Sequence, residues 1–120
     1  MNTQELNKAV FRRYNDAVNN QDAETMRSLV TPDSVIYYDN EPMSHEKMLQ
    51  REVGGWKTIK GGRVEILDLI AEGDRVACRM MRTITGPDGK TTKLFYSAFW
   101  RLEDGKCAES WHDLRKPHEC

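Results

Sequence analysis

The sequence predicts an α+β domain in which three N-terminal helices pack on a curved, mainly antiparallel sheet. Two observations predict it. Apolar residues recur at helical spacing up to about residue 53, and from residue 63 the period changes to two. The second half is also cut by three short polar turns, Glu72-Gly73-Asp74, Gly86-Pro87-Asp88-Gly89 and Glu103-Asp104-Gly105, the punctuation of hairpin-linked strands. Helices first and strands afterwards is an α+β order.

Each element has its own signal. Residues 3–20 read as a helix, with Leu6, Val10, Phe11, Tyr14 and Val18 forming one apolar stripe and Lys8, Arg12, Arg13 and Asn15 on the other face. Asp22 reads as the N-cap of a short second helix, with Glu24 in its first turn and Met26, Leu29 and Val30 inward. Thr31-Pro32-Asp33 ends it, because Pro32 disfavours helix at the residue before it. Ser34 to Tyr38 is a short strand rich in Val, Ile and Tyr, followed by a turn at Asp39-Asn40-Glu41-Pro42. Ser44 can cap a third helix to about Val53, with Met48, Leu49 and Val53 inward, and Gly54-Gly55 stops it. The strands that follow run over 63–71, 75–85, 91–102 and 106–114. In the turn between the second and third of these, Pro87 fixes its φ and Gly89 accepts a positive one.

Composition bounds the function. A chain of 120 residues without repeats, low-complexity segments or linkers is expected to be a single domain, residues 1–120. With 18 basic and 19 acidic residues the net charge is −1, so no general electrostatic case exists for nucleic acid or an anionic membrane. No apolar run approaches the ~20 residues of a membrane span. The first residues lack the basic and apolar regions of a signal peptide, so a cytoplasmic protein is expected. Cys78, Cys107 and Cys120 have no CxxC spacing and imply neither zinc nor a disulfide framework; Cys78 and Cys107 read as buried small hydrophobes. No ligand spacing, phosphate loop or nucleotide motif is present, so neither metal nor cofactor is expected. His118 falls in a tail expected to fray.

Several stretches carry a family resemblance. The run from Asn7 to Tyr14, followed by Asn19-Asn20-Gln21-Asp22, resembles the opening helices of SnoaL-like polyketide cyclases. Asp68 to Ala77 is similar to a hairpin of that group, as is Phe99 to Lys106 with Glu109 and Trp111 following. The resemblance covers nearly the whole chain, and the order and spacing of the motifs make it specific. It implies the cone-shaped α+β barrel of the nuclear transport factor 2-like superfamily. In that fold a pocket lies between the concave sheet and the helices, and a homodimer is usually built on the sheet's outer face. Ketosteroid isomerases, limonene epoxide hydrolases and scytalone dehydratases share the fold, so the fold alone does not define a reaction.

Two departures from the family pattern matter. The turn at Gly86 to Lys90 is shorter than the insertion many members carry there. The family's last strand often reads Glu-His-Trp-Asp, with the Asp as general base, whereas this chain has Glu109-Ser110-Trp111-His112. His112 therefore stands at the base position, and Asp113 falls on the opposite face. A neutral imidazole can take and return a proton near neutral pH. Ser110 shares the inward face with His112, about 7 Å away along the backbone, so a Ser–His contact is feasible but not required.

The resemblance to ketosteroid isomerases and epoxide hydrolases implies that Ala77, Arg79, Met81 and Thr83 face the pocket, and that Val76, Cys78, Met80 and Arg82 face away. Arg79 would then steady oxygen charge. The two Asp that flank such an Arg in limonene epoxide hydrolase are replaced by Met81 and His112, which argues against epoxide hydrolysis. Tyr14 lies where ketosteroid isomerases place an oxyanion donor, but their two acids correspond to Tyr38 and Ala98, which argues against steroid isomerisation. Tyr38, Met81, Tyr96, Ala98, Trp100 and Ser110 are the expected pocket-lining residues, and Trp111 is expected on the outer face. The resulting expectation is a cofactor-free proton-transfer enzyme acting on a small apolar carbonyl or hydroxyl compound, with His112, Arg79 and Tyr14 as catalytic residues. The alternative is a non-catalytic ligand-binding or dimerisation module.

Overall fold

The computed structural model describes residues 2–56 and 60–114. His118 and Cys120 lie outside the described residues. The chain forms α1 (Thr3–Asn19), α2 (Ala23–Ser28), β1 (Val30–Tyr38), β2 (Glu41–Ser44), α3 (His45–Gly55), β3 (Lys60–Glu72), β4 (Arg75–Thr85), β5 (Thr91–Glu103) and β6 (Lys106–Leu114). Six strands make one sheet in the order β2-β1-β6-β5-β4-β3. All neighbours are antiparallel except β1 and β6, which run parallel.

Asp22 and Ser44 act as the caps the sequence predicts, and Asn2 caps α1 in the same way. Asn2 Oδ1 accepts from Glu5 N at 2.9 Å, Asp22 Oδ1 from Thr25 N at 3.1 Å and Ser44 Oγ from Lys47 N at 3.2 Å. Each such cap is worth about 1 kcal/mol of helix stability.

Several boundaries differ from expectation, each for a local reason. β1 begins at Val30 and contains Pro32, in a stretch where its pairing with β6 is irregular between Val30 and Val35. Pro is tolerated in a strand at such places because no ladder donor is required there. Glu41 and Pro42 are not part of the turn. Asp39 and Asn40 alone make it, with φ of 49° and 71°, and Glu41 and Pro42 pair with Tyr38 and Tyr37. Positive φ at both central residues is the geometry of a two-residue hairpin, which Asp and Asn accept better than other non-glycine residues.

The buried face of α1 is rotated from the expected stripe. Leu6 is 49% exposed, whereas Asn7, Phe11, Tyr14, Asn15 and Ala17 are buried. Asn15, expected on the polar side, donates from Nδ2 to Val64 O at 3.1 Å. Asn19 donates to the same carbonyl at 2.9 Å and accepts from Val64 N at 2.7 Å. β3 is an edge strand, so its outward backbone groups need partners. The asparagines of α1 supply them and dock the helix on the sheet.

Side-chain alternation then places the core. Val76, Cys78 and Met80 of β4, Ala98, Trp100 and Leu102 of β5, and Cys107 of β6 are buried against Phe11, Met26 and Leu49 of the helices. Cys78 and Cys107 are free and buried, and burial pushes both thiols up to about 12, so they remain protonated and unreactive at neutral pH. The register shift between Ile66 and Asp68 of β3 inserts one extra residue, which adds to the curl of the sheet over the helices.

Candidate active site

The concave face of the sheet and the three helices enclose a cavity of about 410 Å³. Its wall is mainly apolar, with Phe11, Met26, Ile36, Met80, Leu94 and Trp100 among the lining groups. Polar groups reach it from four strands and two helices: Tyr14, Tyr38, His45, Tyr96 and His112 carry hydroxyls or imidazoles, and Glu52 and Arg82 carry charge. A few convergent polar groups in an apolar hollow is the usual form of a small-molecule site.

His112 lies in this wall. On the adjacent parallel strand, Tyr38 is its direct partner, and the two rings are 5.4 Å apart. Tyr96 stacks at 6.4 Å from the other neighbouring strand. Directly opposite His112 on β5 is Ala98. Burial lowers the His112 pKa to about 4, with a smaller push from His45 in the same sense, so the ring is neutral at pH 7.

His45 is the site residue the sequence reading did not single out. As the first residue of α3 it points inward and is buried, and its Nε2 lies 2.7 Å from the Tyr14 hydroxyl. Desolvation lowers its pKa to about 4 and raises that of Tyr14 well above the usual value, so both partners are neutral. Tyr14 also meets Trp100 edge-on at 5.1 Å. The signal in the sequence was the spacing His45, Met48, Leu49, Glu52, one face of α3 at i, i+3, i+4 and i+7. Glu52 occupies that inward face, and Val53, expected there, is exposed.

The expected parity of β4 is reversed. Arg79 points to the outer face, where its Nε donates to Asp68 at 2.8 Å and its side chain is 60% exposed. Met81 shares that outer face, opposite Glu65 and Phe95. Neither lines the cavity. The reason is the energetics of burial. The set Val76, Cys78, Met80 is the more apolar face, and burying it costs nothing in unpaired charge. Arg82, at the end of the same inward set, is the guanidinium that reaches the cavity, and it does so paired: Nη2 donates to Glu52 Oε1 at 2.5 Å. Burial alone would lower the Arg82 pKa, but the hydrogen bond and charge of Glu52 outweigh it and raise it.

Of the other expected lining residues, Tyr38, Tyr96 and Trp100 face the cavity, whereas Ala98 and Ser110 are buried outside its wall. The Ser110 hydroxyl lies beside the Cys107 thiol and makes no hydrogen bond to His112, so no Ser–His couple forms. Trp111 faces outward and stacks on Tyr37, with ring centroids 5.6 Å apart. Among the described residues no group of three or more His, Cys, Asp or Glu side chains could hold a metal ion, and no helix is long and apolar enough to cross a membrane.

Three helices on a mixed, mostly antiparallel six-stranded sheet, with a cavity between them, define a cone-shaped α+β barrel of the nuclear transport factor 2-like superfamily. The SnoaL-like domain family matches residues 11–110, and the chain belongs to that family. Solved structures agree. The candidate hydroxylase AclR from Streptomyces galilaeus superposes with a TM-score of 0.88 at 26% identity, over 96% of this chain and 82% of that one. The candidate polyketide cyclase IdmH from Streptomyces antibioticus gives 0.81 at 22% identity, over 88% and 89%. An epoxide hydrolase of the limonene type from M. tuberculosis gives 0.83 at 12% identity, over 95% and 86%, a likeness of fold alone. No curated protein matches the sequence at a significant level.

Proposed function

We propose that this protein is a cofactor-free enzyme that moves protons on a small, mainly apolar carbonyl or hydroxyl compound, in a reaction of the cyclase, isomerase, dehydratase or hydrolase kind. The observation that carries this reading is the His112 imidazole in the wall of a largely apolar cavity, flanked by Tyr38 and Tyr96. A neutral imidazole there can accept a proton from a bound ligand and return it. The tyrosine hydroxyls can donate to an oxygen on which charge develops, and the apolar wall excludes competing water. Membership of a family of SnoaL-like domains and a 26% identical candidate hydroxylase on the same fold support chemistry on a small organic molecule.

Hydrogen exchange tests the reading. Cyclic and aryl ketones that raise the melting temperature would be incubated with the protein in D2O, and deuterium at the carbon beside the carbonyl followed by NMR. Wild type should accelerate exchange in at least one of them, and His112→Ala should reduce the rate about a hundredfold or more. Tight binding with no accelerated exchange in any ketone would sink the enzyme reading.

That second outcome is the signature of a non-catalytic ligand-binding module. The setting of His112 favours it: between Tyr38 and Tyr96 in an apolar wall, burial holds its pKa down to about 4, which makes the ring a weak base and a good neutral hydrogen-bond partner.

The outer face of the sheet supports a further proposal, association of two copies of the chain. Ile70 and Phe99 are exposed there, beside the stacked Tyr37–Trp111 pair. A contiguous aromatic surface of this kind is characteristic of an interaction face. Sedimentation of a monomer at micromolar concentration would remove this proposal.

A further inference from the structure

We infer that the Glu52–Arg82 pair makes the cavity selective for uncharged ligands, and that Glu52 is the residue that sets this selectivity. The inference rests on the reading of the cavity as a ligand site, and not on catalysis.

Glu52 and Arg82 are the only charged side chains in the cavity wall among the described residues. They come from α3 and β4, and both oxygens of the carboxylate are engaged: Oε1 by Nη2 at 2.5 Å and Oε2 by Nη1 at 3.5 Å. Their side chains are only 17% and 27% exposed, so the pair is held in a poorly hydrated place. The terminal nitrogens of Arg82 are therefore committed to Glu52. Its Nε is sealed from solvent without a partner. The charges cancel.

The other polar groups in the wall add no charge. Tyr14, Tyr38 and Tyr96 all have their ionisation pushed upward by burial, and His45 and His112 have theirs pushed downward, so all five are neutral at pH 7. Asn15, the remaining polar lining residue, spends its Nδ2 on the Val64 carbonyl. A carboxylate entering this space would lose its hydration and meet no uncompensated cation. A ketone or phenol needs only a hydrogen-bond partner, which the tyrosines and imidazoles offer.

Removing the charge of Glu52 should reverse the balance, because Arg82 would then face the cavity with a free positive charge. Two probes of matched shape test this: 2-acetylnaphthalene, uncharged, and 2-naphthoate, a carboxylate, titrated by calorimetry at pH 7.5. Wild type should bind the ketone about tenfold or more tighter than the carboxylate. Glu52→Gln should shift the ratio of the two affinities about tenfold or more towards naphthoate. The double variant Glu52→Gln/Arg82→Gln should bind the ketone and lose the gain for naphthoate, which separates charge from any packing defect. Naphthoate binding by wild type equal to or tighter than the ketone would overturn the inference. So would a ratio unchanged in Glu52→Gln with binding intact, and in that case the ligand-site reading would stand. Binding of neither probe by any of the three proteins would overturn both.

Discussion

Tyr14 of α1 and His45 of α3 are joined by a 2.7 Å hydrogen bond in the cavity wall, although 31 residues separate them in the chain. Both are buried and neutral, so the bond sits in a low dielectric where it is strong when made and costly when broken. His45 Nδ1 is buried and has no partner, which leaves Nε2 as the ring's one polar attachment.

Tyr14→Phe removes that attachment while keeping the edge-on contact with Trp100. It should destabilise the fold by about 1–3 kcal/mol, the cost of leaving a buried ring nitrogen unsatisfied. A lower urea midpoint with an unchanged slope checks it. A loss below about 0.5 kcal/mol would show that the Tyr14 bond contributes little.

The two depressed histidines predict acid sensitivity. Their folded pKa values, about 4, lie below the ordinary 6.5, so the neutral rings stabilise the fold fully above pH 6.5. As pH falls from 6.5 towards 4 the unfolded chain takes up protons that the folded one refuses, and stability drops. The loss is up to about 3 kcal/mol per ring, before discounting for water reaching His112 through the cavity. Denaturation at pH 7 and pH 4.5 measures it, and replacing His45 with Phe should flatten part of the profile. An unchanged profile in that variant would contradict the burial of a neutral His45.

Arg79→Ala should be nearly silent in the isolated chain. Its ion pair with Asp68 is exposed on both sides, so the change should stay within about 0.5 kcal/mol, and ligand affinity in the cavity should not move. Loss of ligand binding in this variant would place Arg79 in the cavity after all.

Asn19→Ala removes both bonds from the edge of β3, the donor to Val64 O and the acceptor from Val64 N. The expected cost is about 1–3 kcal/mol. Faster hydrogen exchange of the Val64 amide should accompany it, and an unprotected Val64 amide in wild type would contradict the docking of α1 on this edge.

The gross fold is legible in the sequence because its signals are local. Helical spacing, the capping side chains of Asp22 and Ser44 and the turns at Gly73, Gly89 and Gly105 are written in neighbouring residues, and each appears in the structure near the expected place. The strand β2 was hidden because Asp39-Asn40 makes so tight a turn that the residues read as its second half already pair. The cavity was partly legible. His112, Tyr14, Tyr38, Tyr96 and Trp100 lie in its wall, placed there by alternation and by family resemblance together.

What the sequence determined by itself is the order of elements, their approximate ends and the apolar character of their buried sides. Only the tertiary structure decided which face of β4 looks inward, since a shift of one residue exchanges the faces of a strand and the family comparison pointed to the wrong one. It also decided the partners. The Tyr14–His45 and Glu52–Arg82 contacts join groups 31 and 30 residues apart. Such contacts have no local signature, because they arise from the curvature of the sheet and the docking of α1 and α3 upon it, and these turn three elements with separate periodicities into the walls of one cavity.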